Sequence, residues 1–189
     1  MSTTNPEFEF RGFNHVALVC SDMAETVDFY SNVLGLPLIK TLEIPGGGQH
    51  FFFDVGNGDS LAFFWFPDAP EAAPGVATAE AMPGTGRLAS AHGSMNHLAL
   101  DVPAEKFDEY VQRLIDKGLE LGPVLNHDDS EGTVAAELHD GVFVRSVYFW
   151  GPDRVLLELA AWTKTFGPED VLDLPANADG ERVKVAVRV

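Results

Sequence analysis

The feature that most constrains the fold of this chain is a five-residue phrase that occurs twice. Residues 14–18 read NHVAL and residues 96–100 read NHLAL, so the two histidines lie 82 positions apart (97 − 15). An amphipathic strand could be built from many other sequences. A histidine at the same position in both copies therefore indicates a shared structural role, a shared chemical role, or both.

The residues that follow the first phrase predict a helix and then three strands. Asp22 with Glu25 three positions later resembles a helix capping box, apolar residues then recur at helical spacing, and Gly35 ends the helix. Three extended runs separated by glycine-rich turns come next: 38–44, 49–55 and 61–66.

The second phrase is followed by the same order of elements. A strand over 96–101 precedes a helix that begins near Pro103 and stops at Gly118. Its later strands are predicted at 121–125, 133–138, 142–149 and 155–160. The helix-ending glycines lie 83 positions apart (118 − 35), close to the offset of the histidines. This near-constant offset predicts a duplicated βαβββ unit.

The chain accordingly divides into five segments. They are an N-terminal tail (1–11), a first module (12–66), a linker rich in Ala, Pro and Gly (67–94), a second module (95–162) and a C-terminal extension (163–189). The linker is expected to pack over the surface or to act as a lid. We predict an α+β fold in which the two modules pair into a partly closed barrel of mixed sheets around a metal-binding trough.

Composition excludes several classes of function. The chain has 29 acidic and 12 basic residues and a net charge of −17, which opposes binding to nucleic acids and to anionic membrane surfaces. Its first residues lack the pattern of a secretory signal, and no apolar run reaches the roughly 20 residues that span a bilayer. Cys20 has no cysteine partner for a disulfide and is interpreted as a small buried hydrophobe. We expect a cytoplasmic protein.

Three residues form a candidate metal site. His15 and His97 enter the predicted trough from equivalent strands, and Glu158 lies at the centre of the apolar run VLLEL. Two histidines and one carboxylate leave positions open on a divalent metal, as in non-haem Fe(II) enzymes. In the first module Phe63 occupies the position equivalent to Glu158, so no fourth protein ligand is expected. The alternative is two hydrogen-bonded core histidines and a solvent-facing glutamate.

The paired NHVAL and NHLAL strands and the closing stretch SVYFWGPDRVLLEL resemble the vicinal oxygen chelate superfamily. That superfamily includes glyoxalase I, fosfomycin-resistance transferases, epimerases and extradiol ring-cleaving dioxygenases. The resemblance extends over residues from about 12 to 162. It implies the fold but does not choose among these activities.

The closing stretch is similar to the extradiol dioxygenase signature in particular. Tyr148 lies nine residues after His139 and ten before Glu158. By this resemblance Glu158 is a metal ligand and Tyr148 contacts a substrate hydroxyl. His139 would lie next to the metal ligands without binding the metal itself. Gly151 and Arg154 depart from the usual pattern. The alternative for His139 is a loop histidine without a catalytic role.

Extradiol enzymes also need a group that transfers protons, and His50 is the best candidate because it lies on a strand that could line the trough. An ungapped comparison with the superfamily places the base closer to Phe53. His92 is a weaker alternative, and His127 is expected in a surface loop. Phenylalanines of the first module fit either an aromatic ligand trough or an ordinary core: Phe51, Phe52, Phe53, Phe63 and Phe64.

We therefore predict a metal-dependent oxidoreductase, an extradiol-type dioxygenase that cleaves a catechol or hydroquinone-like ring. Its cofactor would be Fe(II), with Mn(II) as the alternative. Its partners would be O2 and a small aromatic or apolar substrate that chelates through oxygens, and a homodimer is compatible with the sequence. The alternatives are a metal-dependent lyase, isomerase or transferase, and a non-catalytic small-molecule binding protein. Glyoxalase I is disfavoured because Phe63 stands where its extra carboxylate would be.

Overall fold

The computed structural model describes residues 13–171 and 174–184 of the chain. The chain divides into two compact units. Gly12–Thr163 form one unit, which carries both modules and the linker, and the described residues from Lys164 onward belong to the other. The predicted N-terminal tail, 1–11, lies outside the described residues.

The first module folds as a strand, a helix and three further strands. Its elements are β1 His15–Cys20, α1 Met23–Val27 continued by a π-helix at Asp28–Val33, β2 Leu38–Ile44, β3 Gly48–Gly56 and β4 Asp59–Trp65. The sheet has the order β1-β4-β3-β2, with β1 parallel to β4 and the other neighbours antiparallel. The predicted βαβββ order is confirmed here.

Both helices end where the sequence predicts. The Asp22 carboxylate accepts hydrogen bonds from the backbone N–H groups of Ala24 (2.8 Å) and Glu25 (3.0 Å), donors that the first helical turn leaves free. Gly35 and Gly118 follow the two helices at φ +81° and +84°, a left-handed conformation that favours glycine. In the part of the chain that the structure describes, no helix is long and apolar enough to cross a membrane.

The second module repeats the architecture of the first and adds a short strand. Its elements are β5 Leu98–Asp101, a 3₁₀ turn at Ala104–Lys106, α2 Phe107–Asp116, β6 Leu125–His127, β7 Val134–Ala135, β8 Val144–Trp150 and β9 Leu156–Trp162. The sheet order is β5-β9-β8-β6-β7, with β5 parallel to β9. The α+β fold of two tandem βαβββ modules is confirmed.

Two strands of the second module differ from the sequence-based boundaries. The strand expected at 121–125 lies at Leu125–His127, and Leu121 keeps one isolated bridge to Phe149. Pro123 interrupts the earlier residues because proline cannot donate to a strand ladder. The strand expected at 133–138 shrinks to Val134–Ala135.

The helix-facing sides of the two sheets share one hydrophobic core. Large buried side chains come from both modules: Tyr30, Phe53, Phe63, Phe107, Phe149 and Leu157. Alternate residues of each strand point to the other side of the sheet, which we call its outward face. Among the described residues the two sheets do not close on one another, so the partly closed barrel predicted from the sequence is not formed by these strands.

The two outward faces are defined by their residues. The first outward face includes His15, Ala17, His50, Phe52 and Phe64, and the second includes Ser146, Tyr148, Leu156, Glu158 and Ala160. Because both faces point away from the shared core, the polar side chains on one outward face are separated from those on the other. This arrangement determines which candidate site residues can meet in one chain.

The linker packs over the second outward face. Ala79 and Met82 are buried there against Tyr148 and Leu156. The Thr78 hydroxyl donates a hydrogen bond to the backbone carbonyl of Arg154 at 2.9 Å, which fixes the linker to the turn between β8 and β9. The linker is therefore a structured cover over part of this face.

Candidate metal centre

The centre of the candidate site is a buried carboxylate. Glu158 lies on β9 with 5% of its surface exposed, directly opposite Tyr148 of β8. Its carboxylate accepts a hydrogen bond from the Ser146 hydroxyl, and its second oxygen lies 3.0 Å from the Nε2 atom of His97. A buried carboxylate is costly unless it is paired or hydrogen-bonded, and here it is both. Glu158 is thus not a solvent-facing residue.

Electrostatics keep this carboxylate ionised. Burial by itself raises the pKa of Glu158, but hydrogen bonds from His97, Ser146 and Tyr148 outweigh it and hold the pKa below its ordinary value. Burial, together with the Glu158 charge, raises the pKa of Tyr148 to about 12. Near neutral pH the pair is therefore a carboxylate beside a protonated phenol.

His97 immediately precedes β5 and is held at both ring nitrogens. Its Nδ1 atom lies 2.9 Å from the side-chain oxygen of Asn96, and Nε2 faces Glu158. The ring also meets Tyr148 edge to face, with centroids 5.5 Å apart. About a third of the His97 side chain (32%) is exposed, so a ligand can reach it.

His15 occupies the equivalent position on the first sheet. Its Nδ1 atom lies 2.7 Å from the side-chain oxygen of Asn14, and its ring meets Phe52 edge to face at 5.5 Å. His15 is exposed. The same Asn–His contact therefore occurs in both copies, and this contact gives the repeated NH pair a structural role.

His50 lies beside His15 on the first outward face. Its ring stacks on Phe64 at 3.6 Å and also contacts Phe52 at 4.2 Å. Burial and the proximity of His15 lower the pKa of His50. Its Nε2 atom is buried without a hydrogen-bond partner in the structure. A neutral imidazole with a free nitrogen is the form that can accept a proton.

The structure brings some of the predicted residues together and separates others. His97, Glu158 and Tyr148 form one group on the second sheet, and His15 with His50 forms another on the first. Among the described residues, no group of three or more His, Cys, Asp or Glu side chains is placed to hold a metal ion. A single chain therefore presents two separate groups of candidate ligands, one on each outward face, and we call these two groups half-sites.

His139 lies in the loop between β7 and β8 and contacts residues on both sides of β7. Its Nδ1 atom accepts a hydrogen bond from the Gly141 N–H at 3.0 Å, and its Nε2 atom lies 3.1 Å from the Asp128 carboxylate. Asp128 also accepts a hydrogen bond from the Ser130 hydroxyl at 2.6 Å. These contacts give His139 a role in shaping the loop, and its role in supporting the metal site remains a prediction.

The remaining histidines lie elsewhere. His127 is on β6, where its ring is 6.4 Å from that of Phe143, and not in a loop as expected. His92 is an exposed residue of the linker. Cys20 is buried, as predicted, and burial raises the pKa of its thiol, which argues against a nucleophilic role.

Sequence reasoning missed two kinds of site residue. The side chains of Asn14 and Asn96 contact the candidate ligands His15 and His97. An asparagine precedes the histidine in both repeats, and this pattern could have identified them from the sequence. Ala79 and Met82 cover the second outward face, and no local pattern in the linker identifies them.

Comparison with known proteins relates this geometry to a family. A family model described as Glyoxalase/Bleomycin resistance protein/Dioxygenase superfamily matches residues 12–159. The match covers the first module, the linker and the second module as far as residue 159, and it includes each of the predicted site residues.

Two curated relatives and one solved structure are similar to the chain. The uncharacterised protein YwkD of Bacillus subtilis is 27% identical over 79% of this chain and 95% of its own length. The "Putative ring-cleaving dioxygenase MhqE" of the same organism is 29% identical over 76% of this chain but only 46% of its own length. The fosfomycin resistance protein FosX from Listeria monocytogenes, complexed with Mn(II) and sulfate, is 21% identical with a TM-score of 0.50, covering 82% of this chain and 94% of that one. This last likeness shows the fold alone.

Proposed function

Because the chain belongs to the glyoxalase/bleomycin resistance protein/dioxygenase superfamily, we propose that it is a metal-dependent oxidoreductase, an extradiol-type dioxygenase. Its substrate would be a catechol or hydroquinone-like ring, opened with O2. The proposal rests on the buried carboxylate of Glu158, which lies 3.0 Å from His97 with the protonated Tyr148 beside it. The name of the relative MhqE supports the same reaction class.

The proposed metal ligands are His15, His97 and Glu158. The donor set fits a divalent cation, because an ionised carboxylate and an imidazole nitrogen converge on the second outward face and a second imidazole is exposed on the first. When bound, the metal would supply Lewis acidity toward two neighbouring substrate oxygens, and iron would add the one-electron chemistry that O2 requires. We favour Fe(II), and the Mn(II) complex of FosX supports Mn(II) as the alternative.

We also propose that the complete site forms between two copies of the chain. One copy would contribute His97 and Glu158, and its partner would contribute His15 with His50. The first outward face supports this arrangement because it exposes apolar side chains. Val19, on the same strand as His15, is 50% exposed, and Leu42, on the strand paired with that of His50, is 38% exposed. An exposed apolar face of this kind is typical of an interaction surface.

The other side chains of the two half-sites have distinct tasks in this proposal. The Tyr148 phenol stays protonated, and on substrate binding its single O–H would turn from Glu158 to a substrate oxygen. The free Nε2 atom of His50 would accept a proton from a substrate hydroxyl. Phe52 and Phe64 would contact the substrate ring and exclude water from it.

Oxygen uptake tests the reaction class. The protein is loaded anaerobically with Fe(II) and then mixed with a catechol in aerated buffer. We expect O2 consumption together with a coloured ring-opened product, and neither with the Glu158→Gln variant. Metal-dependent turnover that proceeds equally well without O2 would contradict the dioxygenase assignment.

The second candidate function is a metal-dependent lyase, isomerase or transferase that uses the metal as a Lewis acid alone. It is supported by the shared fold of FosX, a fosfomycin resistance protein described with Mn(II). Turnover of an oxygen-rich substrate without O2 is the result expected for this group. Tight substrate binding without turnover in either condition would instead favour a non-catalytic binding protein.

A further inference from the structure

Asn96 connects the candidate ligand His97 to the linker. Its side-chain N–H group donates to the backbone carbonyl of Leu88 at 2.7 Å and lies 3.1 Å from the Ser90 hydroxyl. Its side-chain oxygen lies 2.9 Å from the Nδ1 atom of His97. One amide therefore contacts both the end of the linker and a ring that would bind metal.

These contacts determine which nitrogen of His97 carries the proton. The Leu88 carbonyl can only accept a hydrogen bond, so the amide nitrogen of Asn96 must face the linker. The amide oxygen must then face His97, and an amide oxygen can only accept. Nδ1 of His97 therefore carries the proton, and in the neutral ring the lone pair lies on Nε2.

The lone pair on Nε2 points at another acceptor. The Nε2 atom is 3.0 Å from a carboxylate oxygen of Glu158, so a hydrogen bond between them forms only when Nε2 also carries a proton. Two acceptors at hydrogen-bond distance repel each other unless a cation or a proton lies between them. The Asn96 contact thus prepares Nε2 and the carboxylate to share a positive ion.

We propose that Asn96 is a positioning residue, which holds His97 in the Nδ1–H tautomer and ties that orientation to linker residues 88–90. This inference rests on the proposed function in one respect: it takes the cation shared by His97 and Glu158 to be a metal ion. Asn14 makes the corresponding contact with His15, but it is exposed, whereas Asn96 is half-buried against the linker. We therefore expect the linker to secure the second half-site only.

The tautomer can be read directly from long-range ¹H–¹⁵N spectra of the metal-free protein at a pH where the ring is neutral. We expect the proton of parental His97 on Nδ1. In Asn96→Ala the Nδ1 partner is lost, and the proton should move to Nε2, where it can donate to Glu158. The control Asn14→Ala should leave the His97 signals unchanged. A parental proton on Nε2, or an unchanged His97 ring in Asn96→Ala, would overturn the proposal.

The variant Asn96→Asp separates the two halves of the inference. A carboxylate still accepts from Nδ1 but cannot donate to the Leu88 carbonyl. We expect the Nδ1–H tautomer to persist while amide exchange at residues 88–90 becomes faster than in the parent. Unchanged exchange at these residues would remove the linker from the proposal.

Binding of Mn(II), measured by the loss of the free-ion signal in electron paramagnetic resonance, distinguishes this inference from the proposed function. Removing a residue that orients a ligand histidine typically weakens metal binding by about 10–100-fold, so Asn96→Ala should fall in that range. Parental affinity in Asn96→Ala would refute the positioning role and leave the metal site standing. Failure of every variant and the parent to bind, with the parental tautomer as expected, would refute the metal site alone.

Discussion

At the scale of single residues, the polar side chains of the second outward face depend on one another. The pKa of Glu158 stays below its ordinary value although the side chain is buried, because hydrogen bonds from His97 (when Nε2 carries a proton), Ser146 and Tyr148 outweigh the effect of burial. Tyr148 remains protonated because burial and that same carboxylate disfavour the phenolate. The pair thus combines a negatively charged group with a hydrogen-bond donor at one place on the sheet.

The phenol of Tyr148 can be tested without disturbing its ring. Tyr148→Phe removes only the hydroxyl, and we expect kcat to fall by about 10–1000-fold, the range for loss of a proton-transfer or positioning group. Metal content should stay at the parental level because the carboxylate and His97 remain. Tyr110→Phe, a change on α2 beside Arg113, is the matched control and should keep the parental kcat. A parental rate in Tyr148→Phe would exclude the phenol from the reaction.

At the scale of elements, the carboxylate of Asp128 links the two loops on either side of β7. Asp128 accepts hydrogen bonds from Ser130 and from the His139 ring, and His139 in turn packs against Gly141, where a Cβ atom would come within 2.9 Å of the ring. A side chain at position 141 would therefore displace His139. His139 is thus held in place by Asp128 and Gly141, independently of any metal.

The Asp128 contacts predict a pH dependence of stability. The Ser130 hydrogen bond, with a smaller contribution from His139, holds the pKa of Asp128 below its ordinary value of 3.8. A lowered folded-state pKa stabilises the protein above that ordinary value, and the contribution is lost as the pH falls through the folded-state pKa. Asp128→Asn should therefore lower the Tm at pH 7, with the deficit shrinking as the pH drops below about 3.8.

Thermal unfolding of Asp128→Asn and of the neighbouring exposed control Asp129→Asn, followed from neutral to acidic pH, provides the measurement. The control should track the parent at every pH. A deficit for Asp128→Asn that is constant with pH would show that the lost stability does not come from the carboxylate charge.

The linker makes a second prediction at this scale. Met82 is 8% exposed and packs with Ala79 on Tyr148 and Leu156. Met82→Ala should lower the free energy of unfolding by about 2–5 kcal/mol, as for other buried large-to-small changes. Val76→Ala, at a linker position that is 56% exposed, should change it by less than about 0.5 kcal/mol. Urea unfolding curves measure both, and equal stability of the two variants would mean that the linker does not pack as described.

At the scale of the whole molecule, the separation of the half-sites predicts complementation between chains. His15→Ala and His97→Ala should each lose metal-dependent activity as pure proteins. In a mixed dimer, one site would combine the intact His97 and Glu158 of the first variant with the intact His15 of the second. Random reassembly of an equal mixture should therefore restore about a quarter of the parental sites.

The control for this experiment mixes His97→Ala with Glu158→Ala. Both changes lie on the second sheet, so no combination of chains restores a complete site, and the mixture should stay inactive. Activity after unfolding and refolding each mixture together is the measurement. An inactive mixture of His15→Ala with His97→Ala would contradict the site shared between two copies.

The sequence by itself determined the elements and their order. Alternation along β1 and β5, the Asp22 cap and the glycines that end both helices are local signals, and each acts within a few residues of chain. The repeated motif also predicted the arrangement of the strands, because a duplicated sequence folds into a duplicated sheet with the same strand order. The polar partners of Glu158 were also expected from the sequence, since a carboxylate within an apolar run is costly without a partner.

Only the tertiary structure decided which faces of these elements meet. A strand pattern distinguishes its two faces but does not say what packs on either of them. The helix-facing sides of both sheets bury the larger apolar side chains and form the shared core, so His15 and His97 are left on separate outward faces. The hydrogen bond from Asn96 to the Leu88 carbonyl depends on the path of the linker. No periodic sequence pattern encodes that path.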